Sequence, residues 1–559
     1  MVQFDEDKQN LKLAELRLKD EEEFVRTAAS NRGIAYFNLA QTPIDADALR
    51  LIPETDARAA GMAGFQLLDK QLGVAIVNPD NKNSQTLLHA LATQGYSVKT
   101  FLVSPKSLER ALAAYTELSL TTETKAGSFD ISNKEIETLL ASVHTIKDIK
   151  KLIADVLAQK KHSQTTRMVE IILAGALAVN ASDVHIEPEQ MQVRLRFRLD
   201  GVLNTVLDFE YETYAYVLSR IKLISGLKLN VKAEAQDGRF SINAKNSEIE
   251  VRTSVLPGSY GESIVLRILN PEAISVSMDQ LGLETHLREV LEREIAKPNG
   301  MILTTGPTGS GKTTTLYAFL KKVHTPEIKI ITIEDPVEYH LPGIVQTQTS
   351  AEKGYTFSLG LRAALRQDPD IIMVGEIRDS ETAEIAINAA ATGHLVFSTL
   401  HTNNAAGTFP RLINLGVNPK VISSALSLAI AQRLARTLCT YCKKETPLSG
   451  TEKSMVEKIM ASVTLPEYKN LQQKTVWEPV GCDKCNLTGY KGRIGIFEAI
   501  RITPGIEAAV LLNPSEREIQ VAASDQGMLT MRQDGIIKVL KGATAISELR
   551  RVIDLEENH

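Results

Sequence analysis

Apolar and polar positions change period several times along this chain. From Gln192 to Gly201 they alternate strictly, in Val193-Arg194-Leu195-Arg196-Phe197-Arg198-Leu199. Period two predicts a strand with one buried face and one face carrying Arg194, Arg196 and Arg198; Asp200-Gly201 predicts the hairpin turn after it. Unbroken apolar runs come later, at Met301-Ile302-Leu303, Ile330 to Ile333, Ile371-Ile372-Met373-Val374 and Leu395-Val396-Phe397. They predict buried strands, and in a parallel sheet the strand ends face the ligand crevice. Helical patterns fall at Ile146 to Leu157, Met168 to Ala178 and Thr314 to Leu320. The fold class is α/β and multidomain.

Residues 1–115 predict a small α/β domain. Glu21 to Asn31 is helical, Ile34 to Leu39 a strand, Leu67 to Val77 a hairpin and Tyr96 to Val103 a further strand. Ser104-Pro105 then caps and opens a helix from Lys106 to Tyr115. Nothing there clusters His, Cys or carboxylates, so a docking role is expected. Residues 116–163 read as a linker with some helix inside it, polar at Thr121 to Ser128 and rich in Lys and Gln from Gln159 to Gln164. A second α/β domain is expected over 164–275, a third and catalytic one over 283–437, a cysteine-bearing insert over 438–498 and a C-terminal helical part over 499–559.

Composition narrows the function. The 559 residues carry a net charge of −5 and are 43% hydrophobic and 23% charged, so no basic excess argues for nucleic acid. Met1 to Asn10 is polar and acidic, and no run of about 18 apolar residues occurs, so neither a signal peptide nor a membrane span is expected. The expected location is cytoplasmic.

The most specific motif is Gly306-Pro307-Thr308-Gly309-Ser310-Gly311-Lys312-Thr313, followed by Thr314. A predicted strand precedes it and a helix follows, as a phosphate-binding loop requires. Glycines let backbone N–H groups converge on an anion at the positive end of a helix. Lys312 would reach the terminal phosphates and the Thr313 hydroxyl would serve Mg²⁺. The expected ligand is a nucleoside triphosphate, ATP, with Mg²⁺.

Two predicted strands lead to carboxylates. Glu338 follows Ile330 to Ile333, and Glu376 follows Ile371 to Val374; one would activate water and the other act through Mg²⁺. His394 and His401 flank the strand around Leu395-Val396-Phe397, though His394 reads equally as a core histidine. Arg239, Arg252 and Arg267 lie on later strands of the second domain. A solvated strand face explains any one of them, but a developing phosphoryl charge needs cations.

All four cysteines form two C-x-x-C pairs, Cys439 with Cys442 and Cys482 with Cys485. Four thiolates in such pairs predict a closed structural Zn²⁺ site; two redox pairs or idle thiols are the alternatives. Far from the phosphate loop in sequence, this site is expected to leave nucleotide binding untouched.

These motifs together resemble the secretion ATPases of type II systems and the type IV pilus extension ATPases. The resemblance runs over nearly the whole chain, through Ser182-Asp183-Val184-His185-Ile186-Glu187-Pro188, the phosphate loop, Glu334 to Glu338, Gly375 to Asp379, the histidine segment and the cysteine tail Gly481 to Glu498. It implies a RecA-like ATPase core preceded by a smaller PAS-like α/β domain, an N-terminal docking domain and a zinc-binding insert. It also implies a homohexameric motor with ATP between the two α/β domains and Arg239, Arg252 and Arg267 completing the site, often across a subunit boundary. The implied partners are an inner-membrane platform protein and a cytoplasmic-ring docking protein, with the motor peripheral to the membrane. Retraction ATPases lack the long N-terminal region and the tetracysteine insert.

Some members of that family bind cyclic di-GMP through an R-L-G opening and paired apolar repeats. The corresponding Leu11 to Leu39 has no such opening and one repeat, so docking is expected there. The rival reading is a nucleic-acid motor sharing the phosphate-loop core. Balanced charge and a single Trp argue against it.

Overall fold

The computed structural model describes residues 21–556, apart from 40–43, 46–47, 50, 69, 94, 119–127, 130–137, 141, 159–163, 245–246, 271–275, 470, 472–473 and 513. The polar opening Met1 to Asn10, the first part of Leu11 to Leu39 and parts of the predicted linker lie outside the described residues; the described part of that linker includes helix Ile146–Ala158, whose Ile149 and Ile153 are buried in the core of the second unit. The chain folds as two compact units, Met1–Ala126 and Gly127–His559.

In the first unit, β1 (Ala35–Tyr36), β2 (Met62–Leu68), β3 (Gln71–Ile76) and β4 (Ser97–Leu102) form one sheet in the order β1-β4-β3-β2. The strand expected over 34–39 shortens to two residues. Phe37 still donates its N–H to the Leu102 carbonyl at 3.1 Å and packs its ring 4.9 Å from Phe65 and 5.5 Å from Phe101. Ser104 caps the helix Pro105–Leu118, its hydroxyl accepting from the Ser107 N–H at 3.0 Å.

The second unit opens with helix Ile146–Ala158 packed on helix Gln164–Ala178. Its first sheet contains β5 (Ser128–Phe129), β6 (Asp183–Pro188), β7 (Val193–Leu199), β8 (Val202–Phe209), β9 (Gln236–Ala244), β10 (Ser247–Gly258) and β11 (Gly261–Leu269), in the order β5-β9-β10-β11-β6-β7-β8. Alternation does what it predicts: Val193, Leu195 and Phe197 are buried in the core under the helices. The turn Asp200-Gly201 takes positive φ at both residues, +49° and +87°, as a tight right-twisted hairpin needs. The opposite face is a paired polar surface. Arg194 meets Glu189 and Asp208, Arg196 meets Glu187, and Arg198 lies 3.3 Å from Asp183.

The second sheet of this unit is built from β12 (Gly300–Thr305), β13 (Ile330–Glu334), β14 (Val345–Gln348), β15 (Ile371–Val374), β16 (Leu395–Leu400) and β17 (Leu426–Leu438). The ribbon β18 (Lys444–Pro447) with β19 (Thr475–Glu478) follows, and β20 (Tyr490–Arg501) returns to the second sheet. Its order is β14-β13-β15-β16-β12-β17-β20, parallel except for the final pair. The apolar runs bury both faces: Leu303, Ile333 and Val374 in one layer, Ile302, Met373 and Phe397 in the other. The predicted insert 438–498 includes β20 up to Glu498, yet β20 is the edge strand of this sheet. The cysteine-bearing segment is therefore what lies between Leu438 and Tyr490. Buried Glu548 on helix Ile546–Val552 fastens β17 to the C-terminal part, accepting from the Arg436 N–H at 2.9 Å and its guanidinium at 3.0 Å.

Candidate functional site

The phosphate loop occupies the turn between β12 and helix Lys312–Val323. Its glycines are dictated by space. A Cβ on Gly306 would lie 2.5 Å from the Gln432 carbonyl oxygen, and one on Gly311 would lie 2.8 Å from Gln432 Nε2. Ser310 Oγ is buried in this cradle and has no hydrogen-bond partner among the described residues. The Lys312 ammonium is buried too, donating to the carbonyls of Gly306 at 2.9 Å and Pro307 at 3.1 Å. Burial pushes its pKa below the lysine range, while the nearby Glu376 charge opposes that shift. A cation folded onto its own loop, with an unpartnered hydroxyl beside it, fits an anion.

Parallel pairing delivers the next groups to the same edge. The Thr399 hydroxyl donates to the Gly375 carbonyl at 2.8 Å and pins the segment that carries Glu376. Thr305 at the end of β12 shares a 2.7 Å hydrogen bond with the Thr402 hydroxyl, which holds His401 beside the loop. His401 Nε2 then lies 3.1 Å from Glu376 Oε2, and Arg378 pairs with the other carboxylate oxygen. Glu338 follows β13 in an irregular segment after buried Glu334. Tyr317, Thr332 and Gln346 all donate to the Glu334 carboxylate. Burial raises the Glu334 pKa, so this residue shapes the segment from inside.

The first sheet of this unit adds cations in one rung. Strand register sets Arg239 opposite Arg252, Arg252 opposite Arg267, Arg267 opposite Asp183, and Asp183 opposite Arg198. Neighbours in a rung share a face, and like charges there repel unless an anion intervenes. Asp183 supplies one, 3.1 Å from Arg267. Arg252 pairs with Glu250 of its own strand at 3.0 Å and also reaches the second sheet, donating to the Val337 carbonyl at 2.7 Å and standing 3.8 Å from the Glu338 carboxylate. Arg239 is exposed on the far side of Arg252.

The structure therefore brings Lys312, Glu376 and His401 together at the loop and, separately, pairs Arg252 with Glu338 across two sheets. It does not bring in His394, whose carbonyl accepts from the Gly300 N–H where β12 begins. In a parallel sheet that is the end opposite the loop, and His394 Nδ1 sits 3.1 Å from the Ala389 carbonyl in its own turn. Among the described residues Arg267 and Arg239 likewise make no ion pair with Glu338 or Glu376 of their own chain. Sequence reasoning missed Gln432 and Arg433. Thr305 pairs with Ala431, so β17 runs on past β12 and places both beneath the loop. Gln432 accepts from the Thr315 hydroxyl at 2.8 Å, and Arg433 donates to the Asn403 carbonyl at 2.9 Å. The two polar residues between the run Leu428 to Ala431 and Leu434 were the available signal.

Behind Gly311 and Thr314 lies a cavity of about 660 Å³, also lined by Leu281, Leu434 and Asp200. That is the size of a small-molecule site, ~300–1,000 Å³.

The four cysteines converge. Cys439 and Cys482 sulfurs lie 3.9 Å apart, Cys442 and Cys485 3.8 Å, and Cys482 and Cys485 3.8 Å. A tetrahedron with zinc–sulfur bonds of about 2.3 Å has edges of about 3.8 Å, so the donor set fits zinc. Burial opposes a thiolate at Cys485. The N–H groups of Cys482 and Gly489, 3.2 and 3.3 Å from its sulfur, more than offset this and bring it down to about 7.

Comparison with known proteins gives the same outline. Residues 158–551 match the family described as "Type II/IV secretion system protein", and residues 32–122 match the MshEN domain. Type II secretion system protein E of Dickeya dadantii is 38% identical over 515 residues, 92% of this chain and 99% of its own. Type IV pilus assembly ATPase PilB of Myxococcus xanthus is 36% identical over 519 residues, 92% of this chain and 88% of its own. The X-ray structure of the Legionella pneumophila ATPase DotB covers 69% of this chain and 95% of its own, at a TM-score of 0.49 and 21% identity.

Proposed function

The chain belongs to the type II/IV secretion system protein family, and we propose that it works as a homohexameric motor at the cytoplasmic face of an inner membrane, where ATP hydrolysis extends a type IV pilus or a secretion pseudopilus. It is an ATPase. Among the described residues no helix is long and apolar enough to cross a membrane, so the motor would act through a membrane platform protein and a cytoplasmic-ring docking protein.

One observation carries this reading: Arg252 of the first sheet meets Glu338, which follows β13 of the sheet that bears the phosphate loop. A site made by two sheets changes when its phosphate is cleaved, and that change can move one sheet against the other. The loop N–H groups and Lys312 would bind the β- and γ-phosphates, and the cavity behind Gly311 would take the nucleoside. Glu338 carries no full-length hydrogen bond to Arg252 and would take the proton of the attacking water. Glu376, oriented by His401 and Arg378, would hold water on the cation side. Mg²⁺ at the Thr313 hydroxyl would neutralise phosphate charge. Zn²⁺ on Cys439, Cys442, Cys482 and Cys485 would stabilise its segment and perform no chemistry.

The test is phosphate release from ATP and Mg²⁺ by wild type, Lys312→Ala and Arg252→Ala, with the assembly state measured alongside. Hexamers with turnover in wild type alone support the motor. Turnover by a monomer, or turnover that survives Lys312→Ala, removes it.

A further inference from the structure

One of the four cysteines, Cys485, lines the cavity behind the phosphate loop. The cavity behind Gly311 and Thr314 is closed on its other side by Cys485, Asn486, Tyr490 and Arg493. Two contacts tie this segment to other walls of the cavity. Asn486 Oδ1 accepts from the Ile146 N–H at 2.9 Å and so caps helix Ile146–Ala158, whose first donors have no partner within the helix. Asp200 accepts from the Gly492 N–H at 3.0 Å, which joins the hairpin turn of the first sheet to the chain just past the cysteines. The helix is itself fixed: Ile149 is fully buried and packs where Gly175 leaves room for it.

We propose that the cysteine-held segment Cys482 to Arg493 is a structural wall of the nucleotide site, so that metal on the four thiolates and nucleotide on the loop bind cooperatively. This rests on the reading that the cavity takes the nucleoside. Asn486 closes the short turn Asp483–Cys485 at φ +52°, which asparagine adopts readily, and Leu487 follows at +62°, which its side chain keeps only when its surroundings impose it. The Leu487 N–H donates to the Cys482 carbonyl at 2.9 Å, and the Cys482 and Gly489 N–H groups lie on Cys485 sulfur, so the turn is built on these two cysteines and depends on where their sulfurs are held. Releasing the sulfurs frees Asn486 from the helix start and opens the cavity beside Leu434. Linkage makes the effect reciprocal: metal tightens nucleotide, and nucleotide tightens metal by the same factor.

The full chain, loaded with zinc or stripped by a chelator, is titrated with a fluorescent ATP analogue and, separately, with inorganic tripolyphosphate. Stripping should weaken the analogue by about tenfold or more, within the ordinary range of coupling between sites. Tripolyphosphate, which has no nucleoside, should bind equally in both forms. Asn486→Gly keeps all four cysteines and accepts positive φ; it should retain one zinc per chain yet bind the analogue about threefold or more weakly. At equilibrium with a competing chelator, saturating ATP should raise the zinc retained by wild type and not by Lys312→Ala. Analogue affinity unchanged within about twofold on stripping, in protein whose thermal transition persists, overturns the coupling. So does zinc retention that ignores ATP. Zinc-loaded wild type that binds tripolyphosphate and the analogue equally well overturns the nucleoside reading of the cavity, and the coupling with it.

Discussion

Arg252 reaches Glu338 within one chain: its guanidinium lies 3.8 Å from the carboxylate and is anchored on the Val337 carbonyl. The family resemblance implies arginines that act across a subunit boundary, and Arg252 has no need of one. Arg252→Ala should lower turnover by about 10³-fold or more, as the loss of a phosphate-site arginine does. Mixing Arg252→Ala subunits with Lys312→Ala subunits should restore nothing, because neither chain then holds a complete site. Arg267, 63% exposed and paired among the described residues with Asp183, is left, with exposed Arg239, to serve a neighbour. Mixing Arg267→Ala with Lys312→Ala should therefore return activity. Recovery in the Arg252 mixture is the outcome against this assignment.

The two histidines should part company. His401 orients Glu376 at 3.1 Å, a positioning role whose loss typically costs about 10–100-fold. His401→Ala should lower kcat by that amount with KM for ATP little changed. His394→Ala, at the opposite end of β16, should leave kcat within about twofold, as surface changes away from a site do. Equal losses in steady-state assays would return His394 to the site.

How far the sequence reached depends on the range of each signal. The phosphate loop, the alternating strand at Val193 to Leu199 and the Cys pairs are local patterns, and local spacing sets their geometry. That Glu338 and Glu376 follow the ligand ends of buried parallel strands was legible in the apolar runs before them. His394 stands just before such a strand and so lies at the other end. Alternation could not tell Arg194, Arg196 and Arg198, paired with carboxylates across their own sheet, from Arg252, which crosses to another. Gln432 and Arg433 depend on how far β17 slides past β12, and the neighbourhood of Asn486 and Ile146 depends on tertiary packing. Neither leaves a mark in spacing. The expectation that the cysteine site stands apart from the nucleotide is the one this geometry argues against most directly.

Glu548 offers a stability test away from the chemistry. Its side chain is buried and accepts from Arg436 and Arg551. Burial alone would raise its pKa, but the hydrogen bonds and charges of Arg551 and Arg436 together hold it below the usual carboxylate value. A lowered folded-state pKa stabilises the fold above the unfolded value of about 4.3, and that stability is lost as pH falls through the folded value. Glu548→Gln strands two arginines and should cost about 3–5 kcal/mol near neutral pH. The gap between variant and wild type in urea unfolding should close only in acid, below pH of about 4. A gap that does not depend on pH would mean that shape, not charge, fixes β17 to helix Ile546–Val552.

The central claim is that Glu338 activates water on a triphosphate held by the loop, and Glu338→Gln tests it most directly. The substitution keeps size and hydrogen bonding while removing the base, so binding and hydrolysis should separate. Affinity for a fluorescent ATP analogue should stay within about threefold of wild type, while phosphate release falls by about 10²–10⁴, the usual worth of a general base. Phosphate release near the wild-type rate, measured on protein that binds the analogue normally, would contradict the account.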